Sequence, residues 1–222
     1  MRVVTWNLRQ GTDAKWDHVE ALAPDVAVLC EVAERPVRSE ATLLGPGVSW
    51  EWEGVTATKG LAIAGFGPTL RRRVARGAIG RWSIAADVEG LTVLGIWSCP
   101  ARGGNYAAEV VRGIDSFSHL GLDTRTVVAG DFNAAPSGAG WRALADRLSA
   151  LGLVSCYHRC HREAFGAESR PTFLARHAGE RSFHIDYCFV SADLVDAVSS
   201  AEIGPADPAV SDHAPVVVEL DR

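Results

Sequence analysis

Short apolar runs rich in β-branched residues recur along this chain and predict buried strands. A representative run is Val127-Val128-Ala129-Gly130, which leads directly into a polar cluster. The predicted strands are Arg2 to Leu8, Val26 to Cys30, Lys59 to Gly65, Ser83 to Val88, Leu91 to Trp97, Val127 to Asp131, Phe183 to Ser191 and Ala214 to Leu220. The short Glu89-Gly90 link predicts a hairpin between the fourth and fifth of these strands.

Three segments have apolar residues at helical spacing, and each lies between predicted strands. They are Trp16 to Leu22, Tyr106 to Leu120 and the segment from about Gly138 to Leu151. The segment Glu34 to Gly54 is rich in turn residues and is predicted to be a loop, and Cys156 to Arg181 is a polar region. Strands outnumber helices, which predicts an α+β fold of two packed sheets with helices outside.

Polar side chains follow the predicted strands at the points where the strands end. These strand-end groups are Asn7, Glu31, Asp131 with Asn133, Asp186, and Asp212 with His213. Any one of them is an ordinary turn or surface residue, since Asn and Asp are common in turns. Together, carboxylates, amides and one histidine form the ligand set of a hard, oxygen-preferring cation such as Mg²⁺. A hard cation beside a histidine suits the chemistry of phosphoester bonds.

The composition is that of a soluble globular protein. For 222 residues, 47% of them hydrophobic and 22% charged, we expect one domain over residues 1–222 and a monomer. No apolar run approaches the roughly 20 residues needed to span a bilayer, and the N-terminus goes straight into a predicted strand, so we expect a cytoplasmic location. The five cysteines are an odd number, which makes a disulfide framework unexpected.

The net charge of −5 argues against a protein that coats nucleic acid through an excess of cations. A local basic groove is still compatible with it, because the stretch from Arg71 to Arg81 is rich in arginine and has no acidic residue. These arginines could contact phosphates while Trp50 and Trp52 stack on bases. The alternative is a solvated charged hairpin for the arginines, with the tryptophans packed at the core or its rim.

At its strand ends the sequence resembles the endonuclease/exonuclease/phosphatase superfamily, which includes deoxyribonuclease I-like enzymes, exonuclease III, inositol polyphosphate 5-phosphatases and neutral sphingomyelinases. The matching segments occur in the family's order and span nearly the whole chain. They are Thr5-Trp6-Asn7, Leu29-Cys30-Glu31, Gly60-Leu61-Ala62-Ile63, Gly130-Asp131-Phe132-Asn133, Ile185-Asp186-Tyr187 and Ser211-Asp212-His213. The resemblance implies a four-layer α/β/β/α sandwich of two mainly antiparallel sheets, and a metal-dependent hydrolase of ester bonds.

The resemblance also implies a metal site and a phosphate contact. Glu31 would be the principal ligand of Mg²⁺, with Asn7 beside it and Asp212 near the metal, and Mn²⁺ could substitute. An ordinary surface glutamate is the alternative for Glu31. Arg9 matches an arginine of the deoxyribonuclease I branch, so it is either a phosphate clamp or an exposed surface arginine.

Four further residues would carry the chemistry if the resemblance holds. Asp131 would orient or deprotonate the attacking water, and Asn133 would hold that water or a phosphate oxygen. His213 would donate a hydrogen bond to the scissile phosphate during an in-line displacement. Asp186 stands at the family's position for the carboxylate that fixes the imidazole.

The chain departs from the family just before Pro100. Relatives commonly have a histidine or tyrosine two or three residues ahead of this proline, where it contacts the phosphate or helps to protonate the leaving group. Trp97 and Ser98 stand there in this sequence. Tyr106 or Asn105 could substitute and bind substrate if the intervening loop folds back.

A separate cluster of potential metal ligands lies in the polar region. It consists of Cys156, His158, Cys160 and His161. Cysteine and histidine at such short spacings can bind zinc, yet no partner pair with the spacing of a zinc site exists elsewhere in the chain. A polar helix or loop is the alternative.

These observations lead to one main functional hypothesis and two alternatives. The main hypothesis is a Mg²⁺-dependent phosphodiesterase that hydrolyses nucleic acid as an endo- or exonuclease. The first alternative is a phosphoesterase for a small phosphoester, such as an inositol phosphate, a sugar phosphate or a lipid headgroup, which the acidic composition favours. The second is a non-catalytic binding module on the same fold, against which the full set of carboxylates argues.

Overall fold

A computed structural model describes residues 1–11, 13–34, 37–38, 41–42, 45, 47–76, 82–177 and 179–221. The strands are β1 (Arg2–Gly11), β2 (Val26–Val32), β3 (Val37–Arg38), β4 (Ala41–Thr42), β5 (Val48–Thr56), β6 (Lys59–Phe66), β7 (Arg71–Arg73), β8 (Ser83–Val88), β9 (Leu91–Trp97), β10 (Thr126–Asp131), β11 (Val154–Ser155), β12 (Asp186–Val190), β13 (Val198–Ile203) and β14 (Val216–Leu220). The α-helices are α1 (Asp13–Ala21), α2 (Tyr106–Phe117), α3 (Trp141–Ala150) and α4 (Cys156–His161), and 3-10 helices span Ser118–Leu120 and Ala192–Ala197. None of the helices in the described ranges is long and apolar enough to cross a membrane.

The strands form two large sheets. Within the described residues, one sheet has the order β13-β14-β1-β2-β6-β5 and the other has the order β11-β12-β10-β9-β8-β7. The β1–β2 and β9–β10 pairs are parallel, and the other pairs in these sheets are antiparallel. The predicted α+β class with two mainly antiparallel sheets is confirmed.

The two parallel pairs position the polar groups that follow their strands. Because β1 and β2 run in the same direction with Asn7 opposite Cys30, Asn7 and Glu31 reach the same edge of the first sheet. In the second sheet, Asp131 at the end of β10 lies opposite both Trp97 of β9 and Asp186 of β12. The strand ends predicted to carry the chemistry therefore meet where the two sheets pack together.

Hydrophobic residues fill three layers, which gives the four-layer α/β/β/α arrangement. The layer between the sheets contains Val28, Ile63, Val93 and Ala129 among its buried side chains. In a second cluster, Trp16 and Val19 of α1 pack with Val4, Trp6 and Leu29 on the outer face of the first sheet. A third cluster packs Ile114, Phe117 and Leu144, from α2 and α3, on the outer face of the second sheet.

The prediction of a loop from Glu34 to Gly54 is wrong for the last part of this segment, where β5 forms the edge of the first sheet. Trp50 and Trp52 alternate with glutamates in this strand, and such a two-residue period of apolar and charged side chains is typical of a half-buried strand. Trp50 packs edge to face on Trp16 with ring centroids 5.8 Å apart. The Trp52 indole donates a hydrogen bond to the carbonyl of Val32. Both tryptophans are packing residues, and the stacking role considered for them is not supported.

The other differences between the predicted and the observed elements concern where the elements begin and what lies after Cys156. The predicted strand Phe183 to Ser191 begins only at Asp186, because Phe183 instead forms an isolated bridge with Phe173. The first helix begins at Asp13 rather than Trp16. The polar region after Cys156 contains the short helix α4.

Gly130 provides a test of how tightly the end of β10 is packed. Its φ is 144°, and a Cβ atom there would lie 1.8 Å from the carbonyl oxygen of Ile96. Backbone atoms of a central strand have little room to move, so we expect Gly130→Ala to lower the free energy of unfolding by about 3 kcal/mol. Urea unfolding measures this. Gly45→Ala is the control, because a Cβ there meets nothing within 4 Å and its φ is not positive. Equal stability of the two variants would contradict the packing argument.

Candidate active site

Two carboxylates and one imidazole form the centre of the site. Asp131 and Asp186 lie directly opposite each other on β10 and β12, and both are fully buried. One potential ligand atom from each of these residues and from His213 lies within 4.8 Å of the other two. The antiparallel pairing of β10 and β12 thus places two acidic groups side by side, and His213 supplies a positive charge next to them.

His213 is held on both its ring and its backbone. Its Nδ1 donates to Oδ2 of Asp186 over 2.8 Å. Its backbone N–H donates to the Ser211 hydroxyl, and its carbonyl accepts from the Trp6 indole at 2.7 Å. The Phe173 ring packs edge-on against the imidazole, with centroids 5.2 Å apart. With Nδ1 committed to Asp186, Nε2 is the nitrogen left for a substrate.

The electrostatics of the cluster follow from burial and close charges. Burial acts to lower the pKa of His213, but the charge and hydrogen bond of Asp186, together with the charges of Asp131 and Asp212, raise that pKa to about 10. For Asp131, burial first and then the charge of Asp186 raise the pKa to about 7. At neutral pH the imidazole is therefore cationic, and Asp131 is close to its midpoint, where a general base is most effective.

Amide groups orient the Asp131 carboxylate. Nδ2 of Asn7 donates to its Oδ2 at 2.8 Å, and Nδ2 of Asn133 donates to the same oxygen at 2.9 Å. The Asn133 backbone N–H donates to Oδ1, which its left-handed backbone conformation (φ 48°) allows. The Asn133 amide also donates to the carbonyl of Ser98. Asn133 therefore positions Asp131, in addition to any contact it makes with water or phosphate.

Asn7 links this cluster to Glu31. Its Nδ2 lies 3.4 Å from Oε1 of Glu31. The ladder between β1 and β2 and that between β2 and β6 are both irregular here, and Glu31 has a φ of 58°. Such bulges re-aim a side chain at the end of a strand. The other carboxylate oxygen of Glu31 pairs with Nζ of Lys59 at 3.0 Å.

The remaining predicted metal ligand also faces a cation. Oδ2 of Asp212 lies 3.4 Å from Nε of Arg9, whose backbone N–H donates to Oδ1 of Asn7. Arg9 therefore lies beside Asp212 and Asn7, and its role as a substrate contact stays a prediction. Lys59 is not predicted from the sequence as a residue of the site. Its position before the Gly60-Leu61-Ala62-Ile63 segment was the only signal for it, and pairing with Glu31 depends on the β2–β6 register.

The residues present fit a hard divalent cation. The donors of Glu31, Asp212 and Asn7 are oxygen atoms, which Mg²⁺ and Mn²⁺ prefer. The Glu31 and Asp212 carboxylates each attract a cationic side chain, that of Lys59 and that of Arg9 respectively. Oδ1 of Asp186 is buried and has no hydrogen-bond partner among the described residues, which adds negative potential to the site.

The segment before Pro100 offers no side chain to a substrate. Trp97 is buried in the core beside Trp82. Ser98 is also buried, and its hydroxyl donates to the carbonyl of Tyr106 at 2.8 Å. Tyr106 itself begins α2 and is 47% exposed. Of the two residues predicted to replace the family's histidine or tyrosine, Tyr106 remains accessible to a substrate. Asn105 instead caps α2, because its side chain accepts a hydrogen bond from the N–H of Ala108.

An open hollow of about 400 Å³ adjoins the site. Its walls are mainly aromatic and apolar, and Asn133 connects it to the catalytic cluster. The lining residues are Tyr106, Asn133, Ala135, Ser137, Gly138, Phe173, Phe183 and Ile185. Since Phe173 also packs on His213, a group bound in this hollow would lie beside the imidazole.

The cluster of cysteines and histidines considered as a zinc site is not assembled in the structure. His158 hydrogen-bonds with Ser155 and Glu168, and His161 donates to the carbonyl of Ala201. In the part of the chain that the structure describes, the Cys156 to His161 segment contributes no converging set of metal ligands. The polar-helix interpretation is therefore favoured over a zinc site.

Three arginines of the stretch, Arg71, Arg72 and Arg73, are paired with acids. Arg71 and Arg73 both bind Oδ2 of Asp87 at 2.7 Å. Arg72 pairs with Glu53 across to the first sheet and lies 3.8 Å from Glu51. Arg81 lies outside the described residues. This arrangement favours the solvated charged hairpin over a track for nucleic acid.

Comparisons with known proteins agree with this architecture. A model of the endonuclease/exonuclease/phosphatase family matches residues 4–213. No curated protein sequence matches significantly. The 3′-5′ exonuclease NExo from Neisseria meningitidis has a similar solved structure, with a TM-score of 0.76, 22% identity and all of both chains covered.

Two further solved structures have the same fold. The 3′ phosphatase NExo from Neisseria, bound to a product DNA hairpin, gives a TM-score of 0.75 at 20% identity with both chains fully covered. An AP endonuclease from Archaeoglobus fulgidus gives a TM-score of 0.73 at 18% identity, again over the full length of both chains. At these identities the likeness establishes the fold.

The His213–Asp186 pair makes a prediction about pH. Removing the charge in Asp186→Asn should lower the pKa of His213 from about 10 toward its ordinary value of 6.5, which ¹⁵N NMR of the imidazole measures. Because that pKa is raised on folding, the pair's contribution to stability is complete below about 6.5 and is lost as pH rises through about 10. Asp186→Asn should not show this loss of stability at alkaline pH. Asp146→Asn, an exposed change on α3, is the control, and an unchanged His213 titration in Asp186→Asn would refute the assignment.

Proposed function

Since the chain belongs to the endonuclease/exonuclease/phosphatase family, whose members hydrolyse phosphoester bonds, we propose that it is a Mg²⁺-dependent phosphodiesterase acting on nucleic acid. The observation that carries this proposal is the continuous set of contacts from His213 through Asp186 and Asp131 to Asn7 and Glu31. It supports the proposal because it joins a cationic donor to the carboxylates proposed as base and metal ligand, at one edge of the sandwich. These are the groups that an in-line attack of water on a phosphate requires.

Asp131 is the proposed base that takes a proton from the attacking water. The hydrogen bonds from Asn7 and Asn133 fix the plane of its carboxylate, so the proton acceptor needs no reorientation during the reaction. A pKa raised to about 7 makes this carboxylate a stronger base than an exposed aspartate. The water would attack phosphorus in line with the departing oxygen.

His213 is the proposed donor to the scissile phosphate. Its imidazolium form, stabilised by Asp186, places a positive charge where negative charge increases on the phosphate oxygens. With a pKa near 10 it keeps its proton at neutral pH, so it acts as a hydrogen-bond donor and a charge rather than as a base.

Glu31, Asn7 and Asp212 are the residues that would hold Mg²⁺, with Mn²⁺ as a substitute. When bound, the cation would act as a Lewis acid on the phosphate. Arg9, which pairs with Asp212, is the proposed phosphate contact on the same side.

The aromatic hollow supports nucleic acid as the substrate. Tyr106, Phe173 and Phe183 offer flat apolar surfaces next to Asn133, and such surfaces suit the sugar and base rings that flank a phosphate in a polynucleotide. A small polyol phosphate would leave hydroxyl groups against these apolar walls, which costs free energy when they lose water. The DNA hairpin in the complex of the Neisseria relative supports the same substrate class.

The charge distribution limits how much nucleic acid the chain can contact. The ion pairs of Arg71, Arg72 and Arg73 neutralise the longest basic stretch, and the net charge is −5. We therefore propose a short footprint around the scissile phosphate. The same observation keeps a small phosphoester as the second candidate, and the test below separates the two.

The test of function is a substrate panel. We expect hydrolysis of single-stranded, duplex or abasic DNA, or of RNA, with Mg²⁺ or Mn²⁺ and none in excess chelator, whereas small phosphomonoesters should react at least about tenfold more slowly because they leave the aromatic hollow empty. Glu31→Gln, which keeps the shape of the side chain, should abolish turnover and weaken Mn²⁺ binding measured by calorimetry. Full activity in chelator would overturn the proposal, and a preference for the small esters would select the second candidate.

Asp131→Asn tests the base. The amide keeps the shape and removes proton acceptance, so single-turnover hydrolysis should fall by on the order of 10²-fold or more. Thermal stability should be unchanged or higher, because burial already disfavours the charged form of Asp131. Asp146→Asn should retain both rate and stability. A nearly wild-type rate for Asp131→Asn would assign Asp131 to the architecture of the turn instead.

A further inference from the structure

Lys59 stands between two groups of different character at the mouth of the site. Its ammonium nitrogen lies 3.0 Å from Oε2 of Glu31 and 5.1 Å from the centroid of the Trp97 ring. The carboxylate provides a charge partner, and the ring provides a cation–π contact. Lys59 begins β6, which pairs with β2, so its backbone is fixed relative to Glu31.

Trp97 supplies a surface rather than a hydrogen-bonding group at this position. The residue is buried, and its Nε1 has no partner among the described residues. The Ser98 carbonyl and hydroxyl that follow are taken by Asn133 and Tyr106. The ammonium of Lys59, above the Trp97 ring, is a group at this strand end that has protons to donate to a ligand.

We propose that Lys59 is a substrate-phosphate ligand whose availability depends on the metal, an inference that rests on the proposed function. Without a divalent cation, the ammonium neutralises Glu31. When a divalent cation binds Glu31, this carboxylate no longer needs the ammonium, and the two like charges repel each other. The Trp97 ring keeps the ammonium at the site, where its N–H groups donate to an anionic phosphate oxygen of the substrate.

The energetics allow such an exchange of partners. An ion pair between partly exposed groups contributes little to stability, so loss of the Glu31 contact costs little. The cation–π contact with Trp97 does not involve Glu31, so it survives the exchange. Lysine suits this role because its ammonium has three donors on a flexible chain. The other lysine, Lys15, cannot take this role because it donates to the carbonyls of Leu8 and Arg9.

Two binding measurements test the proposal without requiring turnover. The first is calorimetric titration of Mn²⁺ alone, in which Lys59→Met should bind several-fold more tightly than wild type because Glu31 has lost its competing cation. The second is binding of a fluorescent single-stranded oligonucleotide in the Asp131→Asn background. Adding Lys59→Met should weaken this binding about tenfold with Mn²⁺ and by less than twofold in chelator, where the lysine is held by Glu31.

Control variants separate the specific contact from overall charge and from folding. Lys59→Arg should retain most of the metal-dependent affinity, since it keeps a cation over Trp97. Arg147→Met also removes one positive charge, but Arg147 pairs with Asp115 between α2 and α3, so both binding constants should stay within twofold. Thermal melting checks that each variant is folded.

The outcomes distinguish this inference from the proposed function. If Lys59→Met tightens Mn²⁺ binding but leaves oligonucleotide affinity equal with and without Mn²⁺, Lys59 is only the counter-ion of Glu31 and the inference is overturned. Unchanged Mn²⁺ affinity also overturns it. If wild type hydrolyses no nucleic acid in the substrate panel, the proposed function fails, whereas a metal-dependent loss of oligonucleotide affinity in Lys59→Met would still support the inference.

Discussion

The buried contact between His213 and Asp186 is the interaction on which the site depends. Asp131 and Asp186 face each other across β10 and β12 with no exposure to solvent, an arrangement that like charges disfavour. The imidazolium compensates for this by pairing with Asp186 and lying within reach of Asp131. The same contact raises the pKa of His213 and leaves its Nε2 for a substrate, so stability and chemistry share one cause.

The surrounding structure holds this charged group by ordinary hydrogen bonds. The Ser211 hydroxyl accepts from the backbone of His213 and donates to the carbonyl of Asn7, which ties the last segment of the site to β1. The Thr172 hydroxyl accepts from the backbone of Asp186. These residues lie in loops, yet their buried polar groups are paired, which is what makes the geometry of a loop-built site precise.

Much of the surface electrostatics acts against extended contact with nucleic acid. Three arginines of the apparent basic track, Arg71, Arg72 and Arg73, are neutralised by Asp87 and Glu53, which come from other strands. The cations that remain near the chemistry, Arg9 and Lys59, each face a carboxylate proposed to bind metal. Both of these cations lie within the site, which fits the short footprint proposed.

The sequence by itself determined the family, the α+β class and the set of polar residues at the strand ends. Local patterns suffice for this, because a β-branched run defines a strand and the residue after it must emerge at the strand's end. Parallel pairing of β1 with β2 then followed from the intervening helix. The family membership and the two-sheet sandwich are confirmed, whereas the roles of Glu31, Asp131 and His213 remain proposals.

Only the tertiary structure decided which side chains pair. Lys59 meets Glu31 because β6 lies antiparallel to β2, and Arg72 meets Glu53 because the edges of the two sheets come together. Trp50 turned inward because β5 joined the first sheet, where one face of its pleat packs on α1. Each of these contacts joins residues distant in sequence, and strand register and sheet packing, which no local pattern encodes, determine them.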